Sequence, residues 1–149
     1  MILLTKNKEE IQNITIAKML KLELEKSVEL SEEFLNELKS DIGKFAVIIL
    51  TLNNKIIRII PTVTKKVHKI AIDIDKLAPD FLRKVGNLFF ELKLKTLYST
   101  GLCFVDEKCI FDVYIDSIEF EKIDAEKLKQ EIMSVEGISD INISIIDVE

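Results

Sequence analysis

Residues 68–75, HKIAIDID, place isoleucine at every second position and decide how the second half of the chain folds. Successive side chains of a β-strand point to opposite faces of its sheet, so Ile70, Ile72 and Ile74 share one face. Lys69 and Asp73 fall on the opposite face. The pattern therefore predicts a strand with one face buried against a core.

Helical and strand patterns then alternate to the end of the chain. After Pro79, apolar residues recur at helical spacing and predict an amphipathic helix over the sheet; they are Phe81, Leu82, Val85, Leu88, Phe89 and Leu92. Two β-rich segments, 95–104 and 109–120, flank a polar hairpin loop. Asp124 is a suitable N-cap for a helix over 125–136, and Gly137 is suited to end that helix in a left-handed conformation. Residues 141–145 alternate in polarity and predict the last strand. The order is βαββαβ, which predicts an α+β, ferredoxin-like domain.

The N-terminal third has a different organisation and charge. Helical spacing covers residues 11–22 and 31–42, and Asn53-Asn54 separates two β-rich runs, which predicts a hairpin. Residues 1–66 carry 11 Lys and Arg against 9 Asp and Glu, whereas residues 67–149 carry 10 against 17. We therefore expect two domains: 1–66, a helical segment with a hairpin, and 67–149, the ferredoxin-like domain.

Residues 67–146 resemble the ACT domain, a ligand-sensing βαββαβ module common in regulators of amino-acid metabolism. The resemblance rests on the strand 68–75, the helix after Pro79, the hairpin across Asp106-Glu107 and the ending LKQEIMSVEGISDINI. It implies a regulatory module that forms homodimers or other homo-oligomers and binds an amino acid or related metabolite.

The resemblance also implies a place for that ligand, the loop between the first strand and the first helix. The candidate ligand-binding residues are those of this loop: Asp75, Lys76, Leu77, Ala78 and Asp80. The loop has no glycine, the residue that allows a backbone to approach a ligand closely. We therefore expect the ligand site to be lost or moved, and association between copies to be retained.

The residues needed for catalysis or metal binding do not form a recognisable pattern. The single histidine, His68, is interpreted as a strand-start residue, and the hydroxyls of residues 98–100 have no base near them in the sequence. The aspartates Asp73, Asp75, Asp112 and Asp116 are interpreted as a solvated sheet face. Cys103 and Cys109 are interpreted as small buried thiols, with a cross-strand bridge as the alternative. We expect no enzyme activity, no metal and no cofactor.

The alternative function is a winged-helix transcription regulator with an ACT-like sensor. In that interpretation residues 31–42 are the recognition helix and Asn54, Lys55 and Arg58 contact DNA from the wing. Four acidic residues against one lysine in that helix would repel phosphate. We therefore expect no nucleic-acid partner, no membrane partner and a cytoplasmic location.

Overall fold

The computed structural model describes residues 15–39 and 44–148 and divides the chain into two compact units, Met1–Lys39 and Ser40–Glu149. The predicted hairpin lies in the second unit, together with the strands that follow it. A functional division after Lys66 stays a prediction.

Helix α1, Glu32–Leu38, is the one helix among the described residues of the first unit. The Ser31 hydroxyl accepts a hydrogen bond from the backbone N–H of Phe34 and caps its start. The predicted helix 11–22 is wrong over 15–22, which are not helical, and residues 11–14 lie outside the described ranges. A short helix is only marginally stable in water unless an apolar face packs against another element. Helical spacing alone was therefore not enough to predict a helix here. The predicted stop at Gly43 also lies outside the described residues.

The second unit is a mixed α+β fold with six strands, as predicted at that level. Its elements follow in chain order: β1 (Phe45–Thr51), β2 (Ile56–Thr62), β3 (Lys66–Ile74), α2 (Phe81–Glu91), β4 (Tyr98–Cys103), β5 (Cys109–Asp116), α3 (Ser117–Phe120), α4 (Ala125–Met133) and β6 (Ile138–Asp147). The strands form two antiparallel sheets, a β1–β2 hairpin and a four-stranded sheet in the order β4-β5-β3-β6.

Strand β3 lies inside the four-stranded sheet because its alternating isoleucines give it a fully apolar face. Ile70 pairs with Val113 of β5 and with Ile143 of β6. The three β3 isoleucines are buried in one core with the apolar stripes of α2 and α4, which include Phe81, Val85, Phe89, Leu128 and Ile132. Each such side chain contributes roughly 1.5–3 kcal/mol on burial, so this core holds the unit together.

The predicted N-cap of α4 is confirmed, whereas the helix ends at Met133 with Ser134 as its C-cap and not at residue 136 beside Gly137. Asp124 accepts hydrogen bonds from the N–H groups of Glu126 and Lys127, and Gly137 follows α4 with a φ of 92°. A left-handed residue lets the chain turn from helix to strand, and glycine adopts it without steric cost.

Other predicted boundaries also differ from the structure, two of them at turns supported by side chains. The β-rich run 109–120 ends as a strand at Asp116, whose side chain accepts from the N–H of Ile118 and starts the short helix α3. The turn at Asn53-Asn54 spans residues 52–55, and its positive φ is at Lys55. The Asn54 side chain supports this turn by accepting from the N–H of Ile56.

The β1–β2 hairpin covers part of the sheet face opposite the helices. Val47 and Ile49 of β1 form a second buried cluster with Val67 and Tyr114 of the sheet, joined by Ile60, Leu97 and Tyr98. This unit therefore has three layers: helices, sheet and hairpin. Within residues 15–39 and 44–148, no helix is long and apolar enough to cross a membrane.

Candidate ligand groove under the hairpin

A groove of about 270 Å³ lies between the hairpin and the open face of the sheet, and we call it the hairpin groove. Residues 49–53 of β1 and its turn form one wall, and residues 100–102 of β4 form the other. The floor is made by side chains of β3 and β5, namely Lys69, Ile110, Asp112 and Tyr114. The walls therefore combine aliphatic residues with the polar residues Thr51, Asn53 and Thr100, and the charged groups lie at the floor.

The floor holds an ion pair between Lys69 and Asp112. The Lys69 Nζ lies 3.5 Å from the Asp112 Oδ2, and the two side chains are 32% and 25% exposed. Neighbouring strands bring them together, because Lys69 pairs with Tyr114 and Asp112 with Ala71 in the β3–β5 register. Partly shielded charges of opposite sign can bind both ends of a dipolar ligand.

Aromatic rings continue the floor under the hairpin. The Lys69 Nζ lies 5.8 Å from the centre of the Tyr114 ring, and Tyr114 lies beside Tyr98 at 6.4 Å between centroids. The Arg58 guanidinium is stacked over Tyr98, 4.6 Å from the ring centre. The Arg58–Tyr98 contact joins the hairpin to the sheet by a cation–π interaction, whereas Lys69 and Tyr114 both belong to the sheet.

The residues assigned to DNA contact do not form one surface. Arg58 points inward onto Tyr98, and its Nη1 is buried without a hydrogen-bond partner among the described residues. Asn54 accepts from the N–H of Ile56 within the turn, and Lys55 holds the positive φ there. Arg58 therefore faces the sheet, whereas Asn54 and Lys55 lie in the turn at the end of the hairpin.

The loop expected to bind a ligand is packed against the turn after α4. The Asp75 N–H donates to the Gly137 carbonyl at 2.9 Å. The Lys76 carbonyl lies so close to Gly137 that a Cβ added there would be 2.1 Å from its oxygen. The protein's own backbone thus occupies the space beside this loop.

Of the five loop residues, one lines the cleft at this end of the sheet. Asp75 lines an open cleft of about 500 Å³ at the end of the sheet, and the other four are not among its lining residues. Lys76 and Leu77 are exposed, and Ala78 is half-buried. Asp80 pairs with Arg83 and Lys84. Slight burial raises the pKa of Asp80, but its hydrogen bond with Lys84 and the nearby positive charges outweigh this and leave the pKa below its ordinary value.

His68 forms a pair with Ser117 that the sequence did not suggest. Its Nδ1 lies 2.9 Å from the Ser117 Oγ, and its ring stacks on Phe120 at 4.0 Å. Burial lowers the pKa of His68, opposed by the charge of Glu121. A serine and a base in hydrogen-bond contact are a catalytic pattern, but Ser117 is only 3% exposed and cannot meet a substrate as placed. The pair ties β3 to α3.

Asp116 is buried, so its assignment to a solvated face was wrong. Its carboxylate accepts hydrogen bonds from the N–H groups of Val63 and Thr64, the Thr64 hydroxyl and the N–H of Ile118. These donors come from the β2–β3 connection and from α3. Asp116 can be buried because it lies at the end of β5, where residues 63 and 64 of the β2–β3 connection supply hydrogen-bond donors in place of water. Asp116 therefore anchors the hairpin to the sheet.

The two cysteines form a disulfide, Cys103–Cys109, and their interpretation as free buried thiols was wrong. They lie opposite each other in the β4–β5 register, with Cα atoms 4.1 Å apart. Cys109 is buried and Cys103 is exposed. The described residues contain no group of three or more His, Cys, Asp or Glu side chains that could hold a metal ion.

Comparison with known proteins gives a structural likeness among solved structures. No protein-family model matches the sequence, and no curated protein matches it. Among solved structures, the chain is similar to an uncharacterized protein from Thermotoga maritima at 15% identity and a TM-score of 0.35, covering 56% of this chain and 99% of that one.

Proposed function

We propose that this protein is a non-enzymatic, ACT-like regulatory module that associates with copies of itself and binds an amino acid in the hairpin groove. The observation that carries the proposal is the Lys69–Asp112 ion pair at the floor of the hairpin groove. The proposal places the module in the cytoplasm, where thiol reductants would reach the disulfide from its exposed Cys103 side.

The topology supports the ferredoxin-like part of the proposal. The elements β3, α2, β4, β5, α4 and β6 follow the order βαββαβ, and the strand order β4-β5-β3-β6 is the one expected for that fold. The short helix α3 is an addition between β5 and α4. Many functions use this fold, so the function is argued from the groove and not from the topology.

The chemistry of the groove favours an amino acid with an aliphatic side chain. The ligand carboxylate would pair with Lys69 and its ammonium group with Asp112, in place of the existing ion pair. A partly exposed ion pair contributes only about 0–1 kcal/mol, so separating it costs little. The ligand side chain would contact the aliphatic residues of the groove, which include Ile49, Leu102 and Ile110. A groove of about 270 Å³ has room for a ligand of this size.

Isothermal titration calorimetry of the full chain with each of the twenty amino acids tests the proposal. We expect measurable binding of leucine, isoleucine or valine, and weaker binding of charged amino acids, which would place a second charge against the aliphatic residues of the groove. Lys69→Met and Asp112→Asn should each weaken binding at least tenfold, because each removes one charged partner of the ligand.

The matched control is Asp73→Asn, which changes an exposed aspartate of the same sheet that does not line the groove. This variant should bind like the unmodified protein. Absence of binding with all twenty amino acids would refute the ligand proposal, and equal loss in Asp73→Asn would refute its location.

A further inference from the structure

The disulfide Cys103–Cys109 joins an exposed residue to a buried one at the end of the β4–β5 pair. Cys103 ends β4, the edge strand of the four-stranded sheet, and is exposed. Cys109 begins β5, is 4% exposed and packs in the main core. A thiolate attacks a disulfide sulfur from the side opposite the sulfur that leaves. In the described part of the chain no strand of this sheet lies beyond β4, so that side of Cys103 is not covered by the sheet.

The fold does not depend on this disulfide to keep the two strands together. The two cysteines are six positions apart, and cross-linking so short a loop removes little conformational entropy from the unfolded chain. Two backbone hydrogen bonds also close the enclosed turn, from the Phe104 N–H to the Lys108 carbonyl at 2.8 Å and from the Glu107 N–H to the Phe104 carbonyl at 3.1 Å. Strand β4 pairs with β5 along its whole length. Breaking the disulfide should therefore leave the domain folded.

The surroundings of Cys109 also suit the reduced state. Its Sγ lies 3.7 Å from the Glu107 carbonyl oxygen, close enough for a weak S–H···O hydrogen bond. A disulfide sulfur has no hydrogen to donate, whereas a thiol has one. Reduction would therefore turn this contact into a hydrogen bond. The rest of the thiol would stay in the apolar core, where a free cysteine packs as a small apolar side chain.

We propose that Cys103–Cys109 is a redox-active disulfide that is reduced and reoxidised by exchange with a dithiol, such as the Cys-X-X-Cys pair of a partner protein. One thiolate of the dithiol attacks the Cys103 Sγ and bonds to it, and the Cys109 sulfur leaves with the electron pair and takes up a proton. The second thiolate then attacks the dithiol's own sulfur in this mixed disulfide, and the Cys103 sulfur leaves and is protonated. The chain gains two electrons and two protons, and the dithiol is oxidised to a disulfide. This exchange requires no amino-acid ligand in the hairpin groove.

Equilibration of the folded full chain in glutathione buffers tests the exchange. The buffers run from mostly oxidised to mostly reduced glutathione. Each sample is quenched with acid and alkylated in denaturant, and its thiols are counted by mass spectrometry. The chain should change reversibly from no thiol to two across this range, with an unchanged circular dichroism spectrum. Structural disulfides resist reduction by glutathione, so a bridge that stays closed in the most reducing buffer would overturn the proposal, as would a chain that unfolds when reduced.

The variants Cys109→Ser and Cys103→Ser are a matched pair that tests which sulfur is attacked. The first keeps only the exposed Cys103 thiol and the second only the buried Cys109 thiol. With oxidised glutathione, folded Cys109→Ser should form a mixed disulfide about tenfold faster or more than folded Cys103→Ser, because access limits exchange. In urea the two rates should become similar. Equal rates in the folded state, or faster reaction of Cys103→Ser, would overturn the proposal.

Discussion

Replacing Gly137 with alanine tests the packing between the candidate loop and the turn after α4. Gly137 has a φ of 92°, and an added Cβ would be 2.1 Å from the Lys76 carbonyl oxygen and 3.9 Å from an Ile74 methyl group. The obstacle at 2.1 Å is backbone and cannot rotate away. Gly137→Ala should therefore force residues 75–77 and the start of β6 apart.

The magnitude follows from two costs. A positive φ at a residue with a side chain costs about 1–3 kcal/mol, and overpacking against a fixed group costs about 1–3 kcal/mol more. The hydrogen bond from Asp75 to the Gly137 carbonyl, contributing about 1 kcal/mol, should also weaken. We expect a loss of about 3–5 kcal/mol in the free energy of unfolding, which lowers the Tm by about 10–15 °C.

Gly86→Ala is the matched control, because it makes the same chemical change inside α2. A Cβ at Gly86 would meet nothing within 4 Å, so alanine should raise stability by about 0.5–1 kcal/mol through its better helix propensity. Urea denaturation followed by circular dichroism measures both changes. A Gly137→Ala variant within 1 kcal/mol of the unmodified protein, or changes of the same sign in both variants, would refute the reasoning.

Two further predictions concern the buried polar residues. Asp116→Asn should lower the free energy of unfolding by about 2–4 kcal/mol, because an amide nitrogen would then face backbone N–H groups whose hydrogen bonds the carboxylate now accepts. Asp73→Asn, measured by the same denaturation, should change the free energy of unfolding little. Equal losses in the two variants would contradict the anchoring role of Asp116. The pKa of His68, the only histidine, should lie below 6.5 by NMR titration, because burial disfavours its charged form. The contribution of neutral His68 to stability is therefore fully present above pH 6.5 and is lost as the pH falls from 6.5 to the folded-state pKa. A measured pKa at or above 6.5 would contradict this.

The sheet and its helices were predictable because their signals are local. The alternation of Ile70, Ile72 and Ile74 predicts a strand from eight residues alone, without knowledge of the rest of the chain. Asp124 similarly marks the start of a helix, and Gly137 marks the turn between that helix and the next strand, although the helix itself ends earlier, at Met133. The prediction failed for residues 15–22, where helical spacing was present without a packed face to stabilise it.

The polar contacts could not be predicted because their partners are distant in sequence. Asp116 receives donors from Val63 and Thr64, more than fifty positions earlier, and His68 meets Ser117 across a separation of 49. The hairpin groove likewise needs β1, β3, β4 and β5 together. One available signal was the apolar character of both faces of β1, since a hairpin with one solvated face would have alternated.

The position of one glycine connects the proposed function with the fold. An ACT-like module that binds its ligand beside the first loop needs space there, which a glycine in the loop would provide. Here the loop has none, and Gly137 instead lets the turn after α4 approach the Lys76 carbonyl. Closing that space stabilises the loop and leaves the opposite face of the sheet for a ligand. The hairpin covers part of that face and forms one wall of the groove above Lys69 and Asp112. Under the proposed function, substitutions in the hairpin should affect ligand affinity more than substitutions at residues 75–80.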